Sequence, residues 1–257
     1  MLVVHLIDSF TGGPPLGPQL SVRVEGILQK PLVKPNGMFV FPQVPQGRYR
    51  VTVQAGLYFS ETLEVSTAEL NPLHPVVLVP LMPQPAYPFR EGATLVRAAL
   101  RDQAGRPLDR VKILGVVVSE SCAKAKISGD GTGTGAQEIA LYRVVGKLRA
   151  GDLYFLRNGS GEGEICRIAD AVEGRRTFPL AAPLEQAHPV GTSLQPCVET
   201  WSDPRGEVVL AFGNCRAAAF DVQIRFFHQG NIVVREVRVE EGTSTNLGSV
   251  SLDQVVG

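Results

Sequence analysis

No stretch of this 257-residue sequence approaches the roughly 20 consecutive apolar residues that a helix needs to cross a bilayer, so no membrane span is expected. The N-terminus, "MLVVHLIDSF", has no basic segment leading into an apolar core and a small-residue cleavage site, so no Sec signal is expected. An excess of one charge is missing as well. Lys plus Arg and Asp plus Glu each number 25, for a formal net charge of zero. A protein that tracks a phosphate backbone usually carries a basic excess, so nucleic acid is not an expected partner. Cysteine is scarce: Cys122, Cys166, Cys197 and Cys215 show no CxxC spacing. Four reduced thiols in a product made in the cytoplasm are the expectation. Cys122 with Cys197 is the pair to test, because these two flank a segment set off from the rest.

Motifs for chemistry are equally thin. His5, His74, His188 and His228 stand alone, without HxH or HExxH spacing, so no metal site is expected. There is no GxSxG elbow, and Ser160 in "NGSGEG" reads as a turn. "ISGDGTGTGA", residues 127–136, has the glycines of a phosphate loop without its context. The next run, "QEIALYRVV", alternates like a strand, where a phosphate cradle needs a helix N-terminus and a Lys-Ser/Thr pair. Asp130 and Glu138 do not have the regular spacing of calcium ligands in an EF-hand. A mobile loop or hairpin tip is expected there. No cofactor is expected, and the chain is not expected to be an enzyme.

In place of these motifs the sequence has punctuation. Gly (27) and Pro (19) are scattered between short apolar runs, the pattern of many short strands joined by turns. "NGMFVFPQVPQGRYRVTV", residues 36–53, is the clearest case. Phe39 and Phe41 point one way and Met38 and Val40 the other, so that strand is expected to be covered on both faces. Tyr49, Val51 and Val53 alternate with Arg48, Arg50 and Thr52, which marks a half-buried strand with Tyr49 in the core. Asn36-Gly37 supplies the turn before, and Pro45 and Gly47 the tight connection between the runs. The stretch reads as a structural brace.

The chain also repeats itself. "LVVHLIDSFTGGPPLGPQLSVRVEG" from Leu2 has an echo in "TLVRAALRDQAGRPLDRVKILGV" from Thr94, and "KPNGMFVF" in "SDPRGEVVLAF". "GRYRVTVQAGLYFSETLEVS" is echoed by "AFDVQIRFFHQGNIVVREVRVE". A repeat spread over this many elements predicts two similar domains. It also makes 95–100 a strand, although local propensity would allow a short helix. The division expected is a first unit at 1–82, a proline-rich linker at 83–91, and a second unit formed from 92–120 and 196–257. Residues 121–195 are an insertion with its own strand signals in "IALYRVV", "GDLYFLRN", "GEICRIADA" and "RRTFPLAAPL".

On "DSFTGGPP" with "NGMFVFPQVPQGRYRVTV", and "DQAGRPLDRVKI" with "SDPRGEVVLAF", the repeat resembles the carboxypeptidase-regulatory-like, or transthyretin-like, β-sandwich family. The second unit departs from the family pattern, with "AFGNCRAAAFDVQI" in place of the Pro-Gly-Tyr segment. The insertion is similar to small β modules of phage-tail and adhesin-like proteins. The resemblance implies an all-β fold of two tandem sandwiches, the second interrupted by a small barrel-like insertion. An iron-binding branch of the family uses two Tyr and an HxH pair, and that pattern is absent.

The expected function is a non-enzymatic structural or adaptor protein that binds other proteins of a larger assembly, such as a phage tail or contractile injection apparatus. It would be made in the cytoplasm and incorporated into a virion or injection particle. Two alternatives stay open: a module binding a carbohydrate or other surface, and a hydrolase whose site is scattered through the sequence. Tyr87, Phe89 and Arg90, in "AYPFREG", are the candidate partner-binding residues, with a packed hinge as the competing reading. The open edge of a sandwich is the other candidate, since it can accept a strand from another chain.

Overall fold

The computed structural model describes residues 1–157, 163–171, 174–213, 215 and 217–252. They form two units, 1–87 and 88–257. Both are built from strands; the helical structure among the described residues is a single 3-10 turn at Glu120–Cys122. The fold is all-β, as expected.

Unit one contains β1 (Leu2–Asp8), β2 (Leu20–Val24), β3 (Leu32–Val33), β4 (Met38–Phe41), β5 (Arg48–Ala55), β6 (Glu61–Ser66) and β7 (Val76–Leu81). One sheet runs β3-β4-β1-β7 and the other β2-β5-β6. Strand alternation buries Leu2, Val4 and Leu6 of β1, Phe39 and Phe41 of β4, and Val51 and Val53 of β5. Tyr49 departs from expectation. It lies on the Val51 face but at the start of β5, where its side chain is only half-buried and its hydroxyl donates to the Pro45 carbonyl at 3.1 Å. The aromatic that braces this unit is Tyr58, which has no exposed surface.

Unit two contains β8 (Leu95–Arg101), β9 (Lys112–Val117), β10 (Ala125–Ile127), β11 (Glu138–Tyr142), β12 (Leu153–Arg157), β13 (Gly163–Arg167) and β14 (Thr177–Pro179). It continues with β15 (Ser193–Trp201), β16 (Glu207–Ala211), β17 (Ala219–His228), β18 (Asn231–Glu240) and β19 (Ser244–Ser251). The order β16-β8-β19 reproduces β4-β1-β7, and β9-β17-β18 reproduces β2-β5-β6. Even the parallel pairing recurs, β8 with β19 as β1 with β7. The core joins both sheets: Leu100, Leu210 and Val250 of one meet Ile113, Ile224 and Val239 of the other. That is a two-sheet sandwich.

The insertion wraps its own core, which includes Ile127, Ile139, Tyr154, Phe178 and Leu194. Its strands run β14-β11-β10-β15-β12-β13. Among the described residues no strand-length ladder closes this ring. The gap between β13 and β14 is spanned by the bridge Ile168↔Leu180, with Ala169 N–H donating to Pro179 O and Ala181 N–H to Arg167 O. The arrangement is barrel-like without barrel closure. The expected boundary at residue 195 falls inside β15, which belongs to both parts. Its first half pairs with β10 and β12, and its second half with β9. The first part of the expected linker likewise packs within unit one, where Pro83 bridges Tyr58 and Gln84 N–H donates to Leu57 O.

Candidate functional site

Of the residues singled out from sequence, Tyr87 belongs to unit one and Phe89 and Arg90 to unit two. Tyr87 is buried in unit one, and its hydroxyl donates to Asp8 Oδ2 at 2.5 Å. The Tyr58 hydroxyl donates to the same oxygen at 3.1 Å, while the N–H groups of Phe10 and Thr11 donate to Asp8 Oδ1. Burial, foremost, pushes the Tyr58 hydroxyl up to about 12, with the Asp8 charge adding to it, and lifts that of Tyr87 further. A buried carboxylate held by four donors is a clasp that fixes the first turn and the end of the unit. Phe89 and Arg90 open unit two, where Arg90 is exposed and the Arg97 guanidinium lies 5.7 Å from the centre of the Phe89 ring.

The glycine-rich stretch 127–136 lies between β10 and β11, and Thr132 pairs with His188 through two backbone hydrogen bonds. No helix comes after it, so its N–H groups are not gathered as a phosphate cradle would require. His188 itself is buried, with Nε2 2.8 Å from Glu164 Oε1. Burial raises the Glu164 pKa, but the N–H groups of Glu185 and Gln186 and the His188 ring outweigh it and hold the carboxyl below its ordinary value. Among the described residues no three His, Cys, Asp or Glu side chains converge as metal ligands would. No helix among them is long and apolar enough to cross a membrane.

The feature with the clearest capacity for binding is the edge strand β18. "HQGN" turns the chain with Gln229 and Gly230 both at positive φ, the backbone of a two-residue hairpin. β18 then runs ten residues in unbroken register against β17, from His228↔Asn231 to Ala219↔Glu240. In such a hairpin the residues flanking the turn exchange hydrogen bonds, so Asn231, Val233, Arg235, Val237 and Val239 bond to β17. The N–H and C=O groups of Ile232, Val234, Glu236 and Arg238 point away from the sheet, while the Glu240 carbonyl accepts from the N–H and hydroxyl of Thr243 in the next turn. These side chains also share the outer face, where Ile232 and Val234 are 56% and 43% exposed. Arg238 is tied to Asp221 at 3.0 Å.

Other sandwich edges in this unit are blunted. β19 carries a register shift between Asn246 and Ser249, and β16 is only five residues long. Beside β18 lies a groove of about 990 Å³, bounded by Asp102, Arg106 and Leu108 on one side and Val233 and Arg235 on the other. Nothing in residue alternation signalled this edge, since which strand ends a sheet is decided by pairing between distant segments.

No protein-family model matches the chain, and no curated protein matches it. Among solved structures, a Streptococcal ancillary pilin is 12% identical with a TM-score of 0.25, over 84% of this chain and 47% of that one. The Bacillus anthracis TIE protein is also 12% identical, with a TM-score of 0.24, over 98% of this chain and 49% of that one. The chain thus spans about half the length of each. Likeness this loose carries no argument about function.

Proposed function

We propose that this protein is a non-enzymatic structural or adaptor subunit of a larger assembly, joined to its neighbours by strand addition at β18. The observation that carries the reading is a ten-residue edge strand whose outward groups from Ile232 to Arg238 have no ladder partner among the described residues, with two exposed aliphatic side chains beside them. Backbone groups supply affinity in such a joint, and alternate side chains supply register. The occupant is an extended segment of a different protein. A two-fold axis normal to the sheet sets β18 of a second copy against itself only in registers centred on one residue. The two that overlap most are centred on Arg235 and Glu236, and each brings like charges together.

Within this reading the two sandwiches are transthyretin-like, the insertion is a phage-tail or adhesin-like module, and the assembly is a phage tail or contractile injection particle. Tyr87, Phe89 and Arg90 then serve structure rather than docking. A glycan-binding role finds less support, since Tyr142 is the one exposed aromatic among the described residues.

The test is sedimentation of native lysate with the protein tracked by antibody, comparing wild type with Val234→Pro. Proline at Val234 deletes an outward N–H while leaving the ladder to β17 intact. Wild type is expected to travel with a particle far heavier than one chain, and the variant to be folded yet released. A wild type that stays small and alone, or a folded variant that still travels with the particle, would overturn the proposal.

A further inference from the structure

We propose that the outer face of the β3-β4-β1-β7 sheet in unit one binds a second copy of this chain, forming a two-fold dimer joined face to face and separate from the β18 edge. Register defines the face. Leu32, Val40, Val3 and Val76 are partners across all four strands, so their side chains make one row on one side of the sheet. Met38, His5 and Leu78 make the next row, and Ile7 and Pro80 begin a third. The buried set Leu2, Val4, Leu6, Phe39 and Phe41 alternates with these residues and takes the opposite side. β4 is thus apolar on both faces, as its sequence announces. Leu32 and Val76, at the two ends of the first row, are 55% and 39% exposed.

Unit two shows that the fold does not require an apolar outer face. A solvated sheet face is ordinarily polar, and the matched face of β16-β8-β19 largely is. Aligned through the same pairings, Arg97 stands where unit one has Val3, and Glu207 where it has Met38. Asn246 replaces Val76, Ser249 replaces Leu78 and Arg101 replaces Ile7. Val40 keeps its character in Val209. The apolar rows of unit one are therefore a property of this copy of the sandwich.

Charge selects the occupant. The three rows hold no Asp, Glu, Lys or Arg, and His5 is their one titratable side chain. Such a face has nothing to attract a charged partner surface and nothing to repel itself. β18 is the opposite case, since its centre sets like charges together in a second copy. Two identical apolar faces pack as the sheets of a sandwich do, about 10 Å apart with side chains interleaved. A two-fold axis makes that contact self-complementary. Four strands about 4.8 Å apart and three rows about 6.7 Å apart make a face on the order of 400 Å², so two copies bury roughly 800 Å². That is the size of a weak, reversible interface, so the dimer forms with rising concentration.

The experiment is sedimentation velocity on the purified chain from about 1 μM to about 1 mM, the range in which a weak dimer assembles. Wild type is expected to pass from monomer to dimer. Leu32→Glu/Val76→Glu places a carboxylate at each end of the first row and is expected to stay folded while the dimer weakens about tenfold or more. Leu32→Glu alone, at the more exposed end, gives the same reading if the double variant does not fold. Ile232→Glu/Val234→Glu, on the β18 edge, is expected to dimerise as wild type does. A wild type that is monomeric throughout, a folded Leu32→Glu/Val76→Glu chain that dimerises undiminished, or a dimer lost in Ile232→Glu/Val234→Glu would overturn the proposal. With no other protein present, the result is independent of the assembly read from β18.

Discussion

The two units share a strand order and differ in what they do with it. β6 and β18 occupy the same place, yet β6 is six residues long with Glu61, Leu63 and Glu64 at its edge, while β18 is ten residues long and begins with Asn-Ile-Val-Val. A short edge dotted with acids discourages pairing, and a long one with an apolar end invites it. The first turns differ too. Asp8 is buried under two tyrosine hydroxyls, whereas Asp102 is bonded to the N–H and Nε of Arg106, a side chain 79% exposed. The same strand order thus carries an interior clasp in one unit and an accessible edge and groove in the other.

The largest expected effect breaks the clasp. Tyr58→Ala should destabilise unit one by about 3–5 kcal/mol, because it empties a fully buried aromatic site and removes one of the donors to Asp8. Arg106→Ala, at the matching turn, should cost far less than Tyr58→Ala, since its ion pair is exposed and screened by solvent. Similar losses for the two variants in denaturant unfolding would erase the contrast between the turns.

Next in size, Ile232→Glu/Val234→Glu makes β18 resemble β6. Partner affinity should fall tenfold or more, about 1.4 kcal/mol, with thermal stability nearly unchanged. Undiminished particle association by this folded variant would remove the distinction between the edges.

A smaller effect concerns the module that unit two alone carries. The Glu164 pKa is depressed in the folded state, so its charged form adds stability that is complete above the unfolded value of about 4.3. That contribution is lost as pH falls through the lower folded value. The difference in melting temperature between wild type and Glu164→Gln should therefore shrink on acidification through this window; a gap that widens there would reverse the sign.

Smallest is Tyr49→Phe, which deletes one exposed hydrogen bond and should cost about 0.5–1 kcal/mol by equilibrium unfolding. A loss near that of Tyr58→Ala would restore Tyr49 to the core.

These residues also mark how far the sequence alone can be read. Alternation and turn residues are local, so the strands, the two-fold repeat and the face of Tyr49 were all legible in sequence. Depth was not. Tyr49 and Tyr58 are nine positions apart, and what distinguishes them is the layer each meets, a matter of distant chain. The same holds for β18 as an edge, for Cys122 and Cys197, the pair to test from sequence, which lie in separate core clusters, and for β15, whose nine residues look like one strand and serve two sheets.

That shared strand has a mechanical consequence. Phe155 of the module packs against Leu114 and Val116 on the outer face of the sandwich sheet, and the Arg225 guanidinium lies 5.0 Å from the Phe155 ring centre. A pull on the module along β15 is therefore borne by ladder bonds lying across the line of force, which must shear together rather than unzip singly. Module and sandwich would yield as one stiff beam, a useful property in a part that transmits load.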